Sequence, residues 1–330
     1  MPRILWVIAD DFGIGNDTSR GILELAHQGI VTGTVLLVNS PHAESSLRMW
    51  ESAGKPLEVG WHPCLTIDQP VLDPKEVPSL VDCKGNFFTL GIFLKKLLSG
   101  QIHRTDITNE LQAQYQKFID LTGFRPRIVN AHHHLHVFPP VGRILRQILR
   151  GKVLSEQIVK EQVLEDPVAI SAAALPYVRR IQETPYSLSM VPGARKKRML
   201  LTLFGRFESR FLKNQGFPGN NFLAGITDPI WIEKDSFFTN WLRSAPPNTS
   251  CELTCHPGYL DQSLIGRDGD NLWDGLIQRR FREFQLLRHP SFLETCSQLG
   301  FDLVPLQHSL QSKNFGTKIQ SRFCSKHRAC

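Results

Sequence analysis

The run Arg3-Ile4-Leu5-Trp6-Val7-Ile8-Ala9 is apolar almost throughout and stops on Asp10-Asp11-Phe12-Gly13. A short apolar run rich in β-branched residues reads as a buried strand. Two adjacent carboxylates at the C-terminal end of such a strand are costly unless a metal or a basic partner balances them. The chain must therefore fold so that a buried strand delivers charge to a shared edge. The pattern then repeats. Asp17 or Thr18 is placed to cap a helix carrying Ile22, Leu23 and Leu25, and Gly29 closes it. A second strand is predicted over 30–38, a helix over 42–53, and a third strand over 57–62 that ends on His62. Strand, helix, strand with chemistry at the strand ends is the layout of a parallel α/β sheet or barrel.

Residues 67–88, with Pro70, Pro74, Pro78 and Gly85, read as a loop over that edge. Helices are predicted over 89–99 and 106–121. The apolar pair Ile128-Val129 then enters Asn130-Ala131-His132-His133-His134-Leu135-His136, four histidines in five residues. If this segment is extended, His132 and His134 share one face and His133 the other; His136 joins the first set only if the strand continues. Pro139-Pro140 opens a helix over 141–149. Beyond it, a strand is expected over 174–181, helices over 194–215 and 233–243, and a strand over Cys251–Cys255 that ends on His256. Helices over 273–288 and 291–299 and a strand over 301–304 follow. No internal repeat is visible.

At 330 residues, one barrel-sized domain or two smaller ones would be ordinary. With 41% hydrophobic and 21% charged residues the chain is a soluble globular protein, and no apolar run approaches the roughly 20 residues that span a bilayer. No signal peptide precedes the first strand, and the seven cysteines are scattered and odd in number, so a cytoplasmic setting with reduced thiols is expected. The net charge of +7 is uneven: after Asp302 there is no acid, and Lys313, Lys318, Arg322, Lys326 and Arg328 crowd the tail. A second basic cluster is Arg195-Lys196-Lys197-Arg198. It opens the 194–215 helix, whose apolar positions are Met199, Leu200, Leu203, Phe204, Phe207 and Phe211 and whose one acid is Glu208. Such a helix either packs its apolar stripe on the core or lies peripherally on an anionic membrane surface.

Asp10 or Asp11 with His62 and His132 would make a two-histidine, one-carboxylate set for a divalent metal with open positions for water and substrate. The second aspartate could serve as general base, and His256 could protonate a leaving group. Metal-assisted hydrolysis is the reading. A kinase-like reading of Asp11-Phe12-Gly13 lacks a glycine-rich loop and a catalytic HRD segment. Gly13-Ile14-Gly15 lacks the third glycine of a dinucleotide fingerprint. Nucleic-acid binding by the tail lacks interleaved aromatics apart from Phe315 and Phe323.

These residues resemble the YdjC/ChbG carbohydrate deacetylase family. Its ADDFG run is similar to Ala9-Asp10-Asp11-Phe12-Gly13, and its G-x-H-x-x-L-T segment to Gly60-Trp61-His62-Pro63-Cys64-Leu65-Thr66. Its D-S-H-H-H-x-H segment is similar to residues 130–136 followed by Phe138-Pro139, and its late C-H-P to Cys255-His256-Pro257. The resemblance implies a distorted (β/α) barrel, TIM-like or NodB-like, over residues 1–308, with the site at the C-terminal strand ends. It implies one divalent metal, Mg or Zn, on Asp11, His62 and His132, with Asp10 as base and His256 as acid. The implied activity is removal of an N-acetyl group from an amino sugar. A non-catalytic sugar- or lipid-binding descendant of the same barrel is the alternative. Asn130 stands where the family usually has Asp. The basic insert at about 190–225 and the segment Phe222–Gly225 resemble the hopanoid-associated HpnK branch, which implies an N-acetylglucosaminyl hopanoid substrate. The tail 309–330 is expected to be basic and flexible, and a homo-oligomer is compatible with these features.

Overall fold

The computed structural model describes residues 3–163, 175–267 and 276–305. The first strand, β1 (Arg3–Phe12), is buried along nearly its whole length and leads to α1 (Asn16–His27), β2 (Gly33–Leu36), α2 (Ala43–Ser52) and β3 (Glu58–Trp61). Next come α3 (Leu90–Leu98), α4 (Arg104–Thr122), β4 (Ile128–Val129), α5 (Pro139–Val163) and β5 (Tyr177–Val178). The chain continues through α6 (Pro185–Met190), α7 (Arg195–Asn214), β6 (Phe222–Ala224), α8 (Pro229–Ile232) and α9 (Phe237–Ser244). It closes with β7 (Cys251–Cys255), α10 (Leu276–Arg288), α11 (Pro290–Gln298) and β8 (Phe301–Leu303).

Every ladder is parallel, in the order β5-β4-β3-β2-β1-β7-β6, with β8 also pairing with β1. The sheet curls until its two ends meet. Leu223 N–H donates to Gln182 O at 2.9 Å across the seam, and the Asn220 side chain bridges Arg180 N and O, both at 2.7 Å. The fold is thus the expected distorted α/β barrel, with all strands ending on one edge.

Several local expectations change. Neither Asp17 nor Thr18 caps α1: Gly15 is the N-cap, and Asp261, far along the chain, accepts from Thr18 N–H at 3.0 Å. The predicted 233–243 helix starts later, as α9, with the short α8 ahead of it, while α6 and β6 had no period long enough to read. The predicted basic tail 309–330, the start of the 273–288 helix and residue 174 lie outside the described residues.

Gly60 of β3 packs tightly against β4. A Cβ there would meet the Ile128 carbonyl oxygen at 2.3 Å, which is backbone and cannot yield cheaply. Since these strands lead into His62 and His132, Gly60→Ala is expected to lower the urea midpoint by the equivalent of about 1–3 kcal/mol, the range for overpacking. A midpoint equal to that of the wild type would show that the strands separate without cost.

Candidate active site

The two aspartates diverge because β1 buckles at its end. Its register against β2 shifts between Ala9 and Phe12, and Asp11 takes a left-handed φ of 63°. Non-glycine residues at such angles are uncommon and concentrate where surrounding structure holds them for a purpose. The buckle aims Asp11 at β3 and β4, and leaves Asp10 facing β5 and β7.

Asp11 Oδ1 lies 3.1 Å from His62 Nε2 and 2.9 Å from His132 Nδ1, while Arg280 donates to Asp11 Oδ2 at 2.7 Å. All three of Asp11, His62 and His132 are buried, and one ligand atom from each lies within 4.8 Å of the others. Burial alone would raise the Asp11 carboxyl, but the His132 and Arg280 charges beside it hold it well below its ordinary value. The His62 ring is oriented from behind: its Nδ1–H donates to the Asn130 carbonyl at 2.7 Å. In the neutral ring Nε2 then carries a lone pair aimed at a carboxylate oxygen. A cation between the two relieves that repulsion, and outer-shell hydrogen bonding of this kind is how imidazole ligands are fixed. The donor set therefore fits a divalent ion.

Asp10 sits behind this trio. Arg179, fully buried, donates to both of its oxygens at 2.5 and 2.7 Å, and Thr254 Oγ1 and Asn130 Nδ2 add bonds at 3.0 and 3.2 Å. Burial pushes the Asp10 carboxyl up, yet the Arg179 charge and hydrogen bonds outweigh it and hold the group at about 2. Asn130 matters here. An aspartate in its place would set a second carboxylate about 3.2 Å from Asp10, whereas the amide donates to it. His256 Nε2 lies 3.9 Å from Asp10 Oδ2, and its Nδ1 lies 3.8 Å from Glu283 Oε1. Glu283 is itself drawn down to about 2: burial opposes this, and Arg279 and His256 overcome it. All five expected residues, Asp10, Asp11, His62, His132 and His256, line one pocket.

The histidine cluster departs from its expected alternation. The strand ends at Val129, and His132–Val137 form a 3₁₀ turn with left-handed φ values of 52° and 58° at His133 and His134. His132 reaches Asp11, and His133 Nδ1 meets Thr66 Oγ1 at 2.9 Å. His136 is structural: its Nδ1 accepts from Ala131 N–H and its Nε2–H donates to the Arg179 carbonyl at 3.1 Å. Burial, followed by the Arg179 charge, lowers His136 to about 3 and His134 well below its ordinary value, so both are neutral.

Sequence reasoning passed over Arg179, Glu252 and Arg280. Glu252 lies in a buried strand, accepts from Tyr177 Oη at 2.6 Å and pairs with Arg179 Nε. The one available signal was charge inside apolar strands: Glu252 within Cys251–Cys255, and Arg179 just after Tyr177-Val178. Arg280, on α10, gave no such signal.

A family model described as YdjC-like protein matches residues 4–298. A chitooligosaccharide deacetylase of Escherichia fergusonii is 34% identical over 268 residues, 80% of this chain and 85% of that protein. The chitooligosaccharide deacetylase of Klebsiella pneumoniae is 32% identical over 267 residues, 81% and 86% respectively. Among solved structures, a candidate cellobiose-phosphate cleavage protein from Enterococcus faecalis V583 superposes with a TM-score of 0.67 at 20% identity, covering 94% of this chain and 99% of that one.

Proposed function

The chain belongs to the YdjC-like family, and from that premise we propose that it hydrolyses the N-acetyl group of an amino sugar, releasing acetate and a free amine. The observation that carries this reading is the convergence of Asp11, His62 and His132 on one point, with Asp10 and His256 in the same pocket. Asp11, His62 and His132 would hold one divalent ion, Mg or Zn. Such an ion supplies charge that polarises the amide carbonyl.

The protein's own groups supply the rest. Asp10 stays ionised at any working pH, so its oxygens accept from the hydrolytic water and take its proton. The Arg179 clamp fixes its position at the expense of basicity. His256, adjacent to Asp10 and steadied by Glu283, delivers a proton to the departing nitrogen. The substrate is an N-acetylglucosamine unit carried on an oligosaccharide or on a lipid, such as an N-acetylglucosaminyl hopanoid. The test is acetate release from diacetylchitobiose and from a lipid-linked N-acetylglucosaminide, before and after chelation and after return of Mg or Zn. Release that chelation removes and one metal restores is expected. Binding of either sugar without release under every metal would identify a non-catalytic sugar-binding protein.

A further inference from the structure

Helix α7 buries the face opposite to its apolar stripe. Its inward residues are Arg198, Leu201, Thr202, Gly205, Glu208, Ser209 and Leu212. Phe207 is 61% exposed and Phe211 53%, and Met199, Leu200 and Leu203 are comparably open. Phe204, packed on Phe138, is only partly buried. The core account of the stripe therefore fails for most of it.

The orientation is locked by polar anchors. Arg198, expected as part of a basic cluster, is fully buried, pairs with Glu183 and lies 4.4 Å over the Trp241 ring. Glu208 pairs with Arg146 of α5, and a Cβ on Gly205 would meet the Ile181 carbonyl at 2.3 Å. Turning the phenylalanines inward would tear out both ion pairs.

We propose that this face of α7 docks on an anionic lipid bilayer. Helical spacing sets Arg195, Arg206, Arg210 and Lys213, all exposed, along one edge of the stripe. Across the other edge, a groove between α5 and α7 is lined by Phe207 and Phe211 together with Arg143 and Arg150. The helix's one acid, Glu208, is buried. Charge complementarity therefore selects an anionic occupant and disfavours a second copy of the same face, which would bring cation against cation. Protruding phenylalanine, leucine and methionine between rows of Lys and Arg suit insertion at the boundary of headgroup and acyl chain. No helix among the described residues is long and apolar enough to cross a membrane, so the contact is peripheral. Exposed Tyr186 and Met190 of α6 add apolar contacts near the start of α7. Lys197, in the first turn, lines the catalytic pocket, so docking brings that pocket to the membrane interface.

The full chain is sedimented with phosphatidylcholine vesicles and with vesicles that also contain phosphatidylglycerol. Pelleting with the anionic vesicles alone is expected, with release at about 0.5 M salt, where screening shortens to a few ångströms. Reversing Arg206, Arg210 and Lys213 to Glu should lower the partition coefficient by more than about tenfold, since each cation contributes near the surface. Phe207→Ser with Phe211→Ser should lower it as well, separating insertion from charge alone. Both variants change exposed side chains and should keep the wild-type unfolding midpoint. Wild-type protein that stays in the supernatant at low salt overturns the proposal, as does binding that survives both variants. So does a dimer in gel filtration that the serine variant converts to monomer, because the occupant is then a second copy.

Discussion

His62→Ala and His132→Ala should each empty the cation site and reduce acetate release to background while the barrel remains folded. Outer-shell changes around a metal typically cost about 10–100-fold in affinity, and removing a direct ligand costs more. Both rings end on the same oxygen, Asp11 Oδ1, at 3.1 and 2.9 Å, so neither can replace the other. His62 is the cleaner test. Its loss frees the Asn130 carbonyl and one contact on Asp11 but leaves the Asp11 charge, whereas Asp11→Asn would remove the charge opposite Arg280. Elemental analysis of both alanine variants, with thermal unfolding alongside, reads the outcome. Full metal occupancy in both would sink the ligand assignment.

Asp10→Asn should retain the metal and lose about 10²–10⁴-fold in turnover, the usual worth of a positioned base. The structure adds a second consequence. Asp10 is one of two carboxylates on the buried Arg179, so its neutralisation leaves that guanidinium with Glu252 alone. Breaking a buried pair outright costs about 3–5 kcal/mol, and the surviving Glu252 should keep the loss below that. A lower unfolding midpoint should therefore accompany the lost turnover. Thr254→Val separates the two effects, since it removes one hydrogen bond to Asp10 and leaves the charge and its Arg179 partner in place. Near-normal turnover in Asp10→Asn would assign the base to another group.

The convergence of several candidate site positions could be read directly because of one physical regularity. A parallel sheet sends every strand out on the same edge, so residues placed where apolar runs stop must meet. Asp11, His62, His132 and His256 all lie at such stops, and Cys251–Cys255 was bounded as it folds. Boundaries were poorer where the strand is held by its neighbours. β4 spans two residues because the Asn130 carbonyl turns to His62 and the chain coils at once into the histidine turn.

Sequence by itself determined the parallel α/β architecture, the edge on which the candidate site residues gather and the amphipathic character of α7, because each follows from local hydrophobic period and from polar residues at its interruptions. Tertiary structure decided which aspartate meets the histidines, through the left-handed turn at Asp11, and which groups hold Asp10, through Arg179 placed 169 residues away. It also decided which face of α7 is buried. Periodicity divides a helix into an apolar and a polar side, but the side turned inward depends on every partner available. Here Arg198 with Glu183, Glu208 with Arg146, and the close approach at Gly205 outweigh a row of phenylalanines.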